Sequence, residues 1–168
     1  AFERDDLLRS YTWNFAVARS DLAPLAGGNV PVFEFDNAFA VPSDWLRTIS
    51  VHDKTTHSLQ PRYKMETVSV TAVFTRCIIT ESADIYLRYV RKETTVDSMS
   101  ASFQQALILR LAMVFSIGPA SSNELYKAMA AEFSAVVQQA RLTDEIEDYP
   151  DSITADHWAA DLVNAAMR

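Results

Sequence analysis

Side chains able to do chemistry are few in this 168-residue chain, and their spacing assembles none of the common sites. The three histidines, His52, His57 and His157, form no His-Glu-x-x-His pair, and with Cys77 as the only cysteine there is no zinc-type cluster of thiolates and imidazoles. A satisfied or solvent-facing imidazole is the plainer reading of each. Glu66 and Glu81 are carboxylates of the kind that flank a glycosidic bond, yet nothing in their spacing favours that role over surface charge. The run Asp144-Glu145-Ile146-Glu147-Asp148-Tyr149 lacks the sixth-position glycine and alternating oxygen ligands of a calcium loop, so it reads as a solvated linker. Gly27, Gly28 and Gly118, the only glycines, supply neither a P-loop nor a dinucleotide fingerprint. No Gly-x-Ser-x-Gly elbow is present and no cysteine stands beside a histidine. The expectation is a protein with no catalytic residue, no cofactor and no metal.

The elements that would have to position any site are α+β in kind. Phe2 to Tyr11 has Leu7, Leu8 and Tyr11 on neighbouring helical positions; because the chain opens without an initiator methionine, this is read as the end of a longer helix. The Pro- and Gly-bearing stretch Leu22–Pro31 closes that helical start. Val32–Ala40 alternates Phe33 and Phe35 with Glu34 and Asp36, the period-2 signature of a half-buried strand. Ser43 or Asp44 is expected to cap a short turn through Trp45-Leu46-Arg47, leaving Arg47 to reach a carboxylate or carbonyl, before Thr48–Val51 resumes alternation. Val68, Val70, Ala72 and Phe74 alternate with Thr67, Ser69, Thr71 and Val73. Cys77–Thr80 and Ile85–Arg91 flank a polar turn and are expected to pair as a hairpin.

After Thr95 the period becomes helical. Phe103, Leu107, Leu111 and Val114 share one face and Ala106, Leu109, Met113 and Ile117 another, so this helix should be buried on several sides, in its own domain or against another subunit. Gly118-Pro119 ends it. Ser121-x-x-Glu124 is a capping box, and Leu125, Met129, Phe133, Val136 and Ala140 stripe a second helix, antiparallel to the first. In a last helix, Ala155–Arg168, the residues Ala155, Trp158, Ala159, Leu162, Val163 and Ala166 recur at i, i+3, i+4, i+7, i+8 and i+11. It can fold back on its own domain or dock elsewhere. The chain is thus read as one domain: a helical start over 1–22, a β-rich region over 30–95, a helical hairpin over 100–141, and an acidic linker with the C-terminal helix over 142–168.

Hydrophobic residues make up 49% and charged residues 22%, enough for one core and too little for two domains. No apolar run approaches the roughly 20 residues that span a bilayer, and the sequence reads as that of a soluble protein. The net charge of −7 argues against wrapping nucleic acid. Leu142 to Arg168 holds seven acidic residues and one basic, so it carries −6 of that charge; Gln60 to Lys92 holds six basic and three acidic, or +3. Opposite poles suit neighbouring copies or a complementary partner, and suit equally a merely solvated acidic surface.

Three cassettes occur in order: Trp13-Asn14-Phe15-Ala16, Pro42-Ser43-Asp44-Trp45-Leu46-Arg47, and Leu87-Arg88-Tyr89-Val90, followed by Phe103-x-x-Ala106-Leu107 and Leu111-Ala112. In order and spacing the chain resembles the head-to-tail adaptors of short-tailed bacteriophages, also called tail tubular protein A. Trp45 stands where that family commonly has a cysteine or small residue, and Val41 where it has leucine. The resemblance implies an α+β fold, a helical bundle with an inserted antiparallel β-rich region and a C-terminal docking helix. It also implies a structural role rather than an enzymatic one. The subunit would join a homo-oligomeric ring, dodecameric in the family, in the neck and tail of the virion, after synthesis in the host cytoplasm. The partners implied are the portal protein, the tail nozzle protein and the tail fibres, with double-stranded DNA passing through the lumen unread.

On this reading Trp158, Leu162 and Val163 anchor the portal contact, Trp being enriched at interface centres. Arg62, Lys64, Arg88 and Arg91 form a subunit or tail interface, while Trp13, Phe15, Phe39, Trp45 and Leu46 are core anchors. The alternatives are a regulatory or host-binding protein of similar architecture that never assembles into a ring, and a wall-active tail enzyme.

Overall fold

A computed structural model describes residues 2–25, 33–55, 61–70, 73–116 and 123–147. Helix α1 (Phe2–Ser10) is followed by a 3-10 turn (Asn14–Ala16) and six strands: β1 (Val17–Leu22), β2 (Asn37–Ala40), β3 (Trp45–Asp53), β4 (Tyr63–Val70), β5 (Val73–Thr80) and β6 (Ile85–Arg91). Helices α2 (Ala101–Ser116) and α3 (Asn123–Glu147) complete the described fold. The strands form two antiparallel three-stranded sheets, in the orders β1-β6-β3 and β2-β5-β4. The mixed α+β class expected from the sequence is therefore present.

The alternation along each strand stacks the molecule in layers. Leu87 and Tyr89 of β6 join Phe39 of β2 and Ile78 of β5 in a core between the two sheets. Val90, on the opposite face of β6, joins Leu7, Leu8, Trp13, Phe103, Ala106, Val137 and Ala140 in a core between the first sheet and the helices. Cys77 and Ile79, on the far face of β5, pack with Ala38 and Phe35. The order is helices, first sheet, second sheet, and the covering segment at Phe35. A strand buried on both faces, as β6 is, must be central, because its ladder groups then find partners on either side.

This layering explains several departures from the sequence reading. Cys77–Thr80 and Ile85–Arg91 do not pair as a hairpin. Each is the central strand of a different sheet, and the Glu81–Asp84 segment turns the corner between them. The alternation across Val68–Phe74 belongs to two strands, β4 and β5, whose register closes at Val70 opposite Val73. The helical start expected over 1–22 is helical only to Ser10. Val17–Leu22 is strand β1, set by its pairing with β6 from Val17–Val90 to Leu22–Ile85. Of the strand expected over 32–40, Val32 lies outside the described residues and the rest is strand only from Asn37, because Glu34 has φ 75°, a left-handed conformation that interrupts a strand. That turn buries Phe35 at 3% exposure and leaves Phe33 at 80%.

The Pro42–Arg47 cassette also differs in detail. The turn closes with the Trp45 amide donating to Pro42 O (3.0 Å), and β3 starts at Trp45 itself. Asp44 does not cap a helix; its carboxylate accepts from the Tyr89 hydroxyl at 3.1 Å, and its carbonyl accepts from the Lys92 amide. Burial first, and then this hydrogen bond, push the Tyr89 hydroxyl up to about 12. Among the described residues Arg47 meets neither carboxylate nor carbonyl; it donates to Thr12 Oγ1 at 2.7 Å, tying β3 to the segment after α1.

Glu93 turns the chain from β6 towards α2. Its nearly buried carboxylate accepts from the amides of Thr94 and Thr95, both at 2.9 Å, and pairs with Arg91. The Thr95 amide bond is the main influence holding this carboxyl below its usual range, against the desolvation that opposes it. Glu93→Ala should therefore lower stability by about 2 kcal/mol at pH 7, the scale of lost hydrogen bonds to a charged group. Because the folded-state value is depressed, that contribution is complete above the unfolded carboxylate value of about 4.3 and vanishes as pH falls through the folded value. Urea unfolding of both forms from pH 7 to pH 2.5 should show the difference shrinking; a constant difference would contradict the assignment.

Helices α2 and α3 run antiparallel, as expected: Arg110 lies over the Phe133 ring, while Ser102 and Gln105 share a groove with Val136, Gln139 and Thr143. Gly118-Pro119 and Ser121–Ser122 of the capping box lie outside the described residues, as does the C-terminal segment Ala155–Arg168. Helix α3 does not end at Arg141 but continues to Glu147 through the acidic residues read as a linker. Its last turns are fastened at Asp144, a nearly buried carboxylate that accepts from the Asn14 amide (3.1 and 3.2 Å), while Asn14 Nδ2 donates to Asp144 O at 2.7 Å. Tyr11 adds a bond to Glu145 at 3.1 Å.

Candidate functional site

Among the described residues the groups capable of chemistry lie apart. Glu66 stands opposite Cys77 in the β4–β5 ladder and Glu81 follows Thr80, which pairs with Tyr63. At about 3.4 Å per residue the two carboxylates are roughly 14 Å apart along the strand, beyond the ~5–9.5 Å used in glycoside hydrolysis. Ser50 Oγ and His52 Nε2 lie 3.1 Å apart, within reach for a nucleophile and base. They are two residues apart on one strand, so the contact follows from the strand period, and neither lines the pockets adjoining the helices. The Cys77 thiol is buried, and burial pushes its pKa up, away from the reactive thiolate. His57 and His157 lie outside the described residues. Among the described residues no group of three His, Cys, Asp or Glu side chains could hold a metal, and no helix is long and apolar enough to cross a membrane.

The aromatic cassettes are core. Trp13 and Phe39 are fully buried, Leu46 nearly so, and Phe15 and Trp45 are half-buried against the same clusters. Trp13 donates its indole N–H to Leu7 O (3.1 Å) and meets Tyr11 and Phe103 edge-on at 5.1 Å each, which fixes α1 and α2 on either side of it.

The basic segment does not form one patch. Arg62 and Lys64 grip Glu34 at 2.6 and 2.7 Å and lie over the Phe35 ring, on the far face of the second sheet. Arg91 is paired with Glu93. Arg88 is on the helix-side face of the first sheet, opposite Arg19. The +3 of this segment is spread over different layers, because consecutive strand residues alternate sides and the chain crosses between sheets. Trp158, Leu162 and Val163 lie outside the described residues.

What the fold does leave open is one side of α2. Phe103 and Ala106 are buried, but Ile108 is 66% exposed and Phe115 81%, with Leu111 and Val114 also exposed. Beside them a groove of about 480 Å³ is lined by Phe2, Val96, Met99, Leu107, Ile108 and Leu111, with Phe2 itself 80% exposed. Arg110 fixes the neighbouring wall: it holds Glu3 (2.7 Å) and Asp6 (2.5 Å) of α1 while lying over Phe133 of α3. The sequence reading expects α2 to be buried on several sides; among the described residues the side bearing Ile108, Leu111 and Phe115 is left uncovered. Clustered large apolar side chains at such exposure mark an interaction surface rather than scattered surface hydrophobes.

Compared with known proteins, the chain matches no family model and no curated relative.

Proposed function

We propose that this protein is the subunit of a head-to-tail adaptor ring, a structural component of the neck of a short-tailed phage virion, with no catalytic role. The observation that carries the proposal is the open apolar side of α2, flanked by the Phe2 groove. A helix whose sequence is apolar nearly all round but which the described residues leave open along one side fits a heterologous contact, in which each copy buries the face of the next and a ring closes. The ordered cassettes of the adaptor family support the same reading, and here they serve as the core that holds α2 in place.

In this proposal the ring docks on the portal protein, extends the DNA channel and joins it to the tail nozzle. The segment Ala155–Arg168 makes the portal contact through Trp158, Leu162 and Val163. A lumen lined by acidic residues would let DNA pass without holding its phosphates.

Native mass spectrometry of the full chain, alone and mixed with the portal ring encoded beside it, tests this. The expected result is a discrete stoichiometric addition to the portal ring, abolished by truncation after Pro150, with the truncated domain still folded. A monomer that never adds to the portal at micromolar concentration would overturn the adaptor reading in favour of a regulatory or host-binding protein.

A further inference from the structure

Donors on one wall and acceptors on the other converge on a pocket beside the first sheet. Arg19 of β1 and Arg88 of β6 are direct cross-strand partners, and with Asn14, Val17 and Glu147 they line a space of about 370 Å³. Like charges directly opposite in a ladder are destabilising. Several other arginines also lack a carboxylate, but Arg47 donates to Thr12, and Arg76 and Arg141 lie over the rings of Trp45 and Tyr11. Among the described residues neither the Arg19 nor the Arg88 guanidinium has a partner of any of these kinds, and the Arg88 Nε is enclosed without a hydrogen bond. What distinguishes the pair is that its two charges stand opposite one another and line the same pocket.

The helix side of the pocket has the reverse character. Glu147 is the last residue of α3, a turn beyond Asp144, whose bonds to Asn14 fasten that end of the helix. Asn14 spends its Nδ2 on Asp144 O, so what its amide offers a ligand is the acceptor Oδ1. Glu147 is an acceptor too, and it lines the pocket outside ion-pair distance of either arginine. Cβ atoms of direct cross-strand partners stand about 5 Å apart, close enough for both guanidiniums to reach one anion. Two such forks match the oxygens and the charge of a phosphate monoester, about −1.5 to −2 at pH 7, better than the single charge of a carboxylate. The size is that of a site for a small molecule, which begin at about 300 Å³. A phosphodiester backbone suits it poorly: Glu147 and Asp21, two residues beyond Arg19 on the same face of β1, put negative charge beside the pair, in a chain of net charge −7.

We infer that the Arg19–Arg88 pocket binds a small, hydroxyl-bearing organic phosphate. The two guanidiniums take its phosphate group, and Glu147 and Asn14 Oδ1 accept from hydroxyls of the molecule that carries it. Binding relieves the repulsion across the β1–β6 ladder and needs only one subunit, so failure of this site would leave the adaptor reading untouched.

Two-dimensional amide NMR of the full-length chain tests it, with glucose 6-phosphate, inorganic phosphate, glucose and a short oligothymidylate as the probes. Glucose 6-phosphate should shift the signals of Asn14, Arg19, Arg88 and Glu147 saturably, with half-saturation on the order of 1 mM. Inorganic phosphate should move the same signals about three- to tenfold more weakly, while glucose and chloride at matched ionic strength leave them in place. R19Q/R88Q, which removes both charges at partly exposed positions, should lose the response to both phosphates while its Trp13 indole signal shows the core intact. Absence of a saturable shift with either phosphate up to about 20 mM would overturn the inference, as would a response that survives in R19Q/R88Q. Equal affinity for inorganic phosphate and glucose 6-phosphate would remove Glu147 and Asn14 from the site and overturn the hydroxyl-bearing class. Tighter binding of the oligothymidylate would overturn it in favour of a nucleic-acid surface.

Discussion

Trp13→Ala should lower the unfolding free energy by about 3–5 kcal/mol, the range for deleting a large buried aromatic, and leave the domain marginal at 25 °C. Trp13 is fully buried where α1, α2 and α3 meet the first sheet: Leu7 and Leu8 come from α1, Phe103 and Ala106 from α2, Val137 and Ala140 from α3, and Val90 from β6. Its ring is the shared partner of Tyr11, Phe15 and Phe103, so truncation opens a cavity that no single neighbour can fill by a rotamer change. Trp13→Phe separates packing from polarity. It keeps most of the apolar volume but removes the N–H that donates to Leu7 O at the end of α1, and should cost about 1–2 kcal/mol. Urea titration followed by far-UV circular dichroism reads both, and Trp45→Ala, at a half-buried position, should cost less than Trp13→Ala. A loss below about 1.5 kcal/mol for Trp13→Ala would mean that the helices do not depend on this residue as their common anchor.

The same residue marks how far the sequence could be read. Trp13, Phe39 and Leu46 are identifiable as core from residue type and local alternation, and the helical hairpin from its 3.6-residue stripes, because these signals are local. Strand partnership is not local. Cys77–Thr80 and Ile85–Arg91 carry the alternation of a hairpin and a polar connector of hairpin length, yet burial on both faces makes each the centre of a separate sheet. Likewise Asp144 and Glu145 look like solvated linker until the chain returns Asn14 and Tyr11 to meet them, across 130 and 134 residues of sequence. The one available signal there was helix-compatible spacing: Ala140 and Asp144 are four apart and both buried. Arg19 and Arg88 could not have been joined from sequence at all, since their pairing follows from the β1–β6 register. The basic segment was legible as composition and misleading as geometry, because a charge sum over consecutive residues ignores the period of two that sends neighbours to opposite faces.

Introducing aspartate at two positions of α2, Ile108→Asp with Phe115→Asp, should abolish self-association while leaving the subunit folded. The two side chains are 66% and 81% exposed, so in the isolated subunit the change replaces apolar surface by solvated charge, within about 0.5 kcal/mol of neutral or slightly favourable. In an assembly that covers α2, each would bury an unpaired carboxylate in place of an apolar anchor, and anchors at interface centres are worth about 2 kcal/mol or more apiece. The residues stand seven apart, close to two helical turns, so they face the same side while being far enough apart for their effects to add approximately. Together they should weaken each subunit contact on the order of 1,000-fold, enough to dissolve assembly at micromolar concentration. Sedimentation velocity over a concentration series reads the outcome, with thermal unfolding as the check on folding. If the double variant assembles like the wild type, the open face of α2 is not the contact, and the ring proposal loses the observation that carries it. If self-association disappears but single subunits still add to a portal ring, the lateral contact on α2 and the portal contact are separable surfaces. The portal then templates a ring whose subunits could not hold one another without that face.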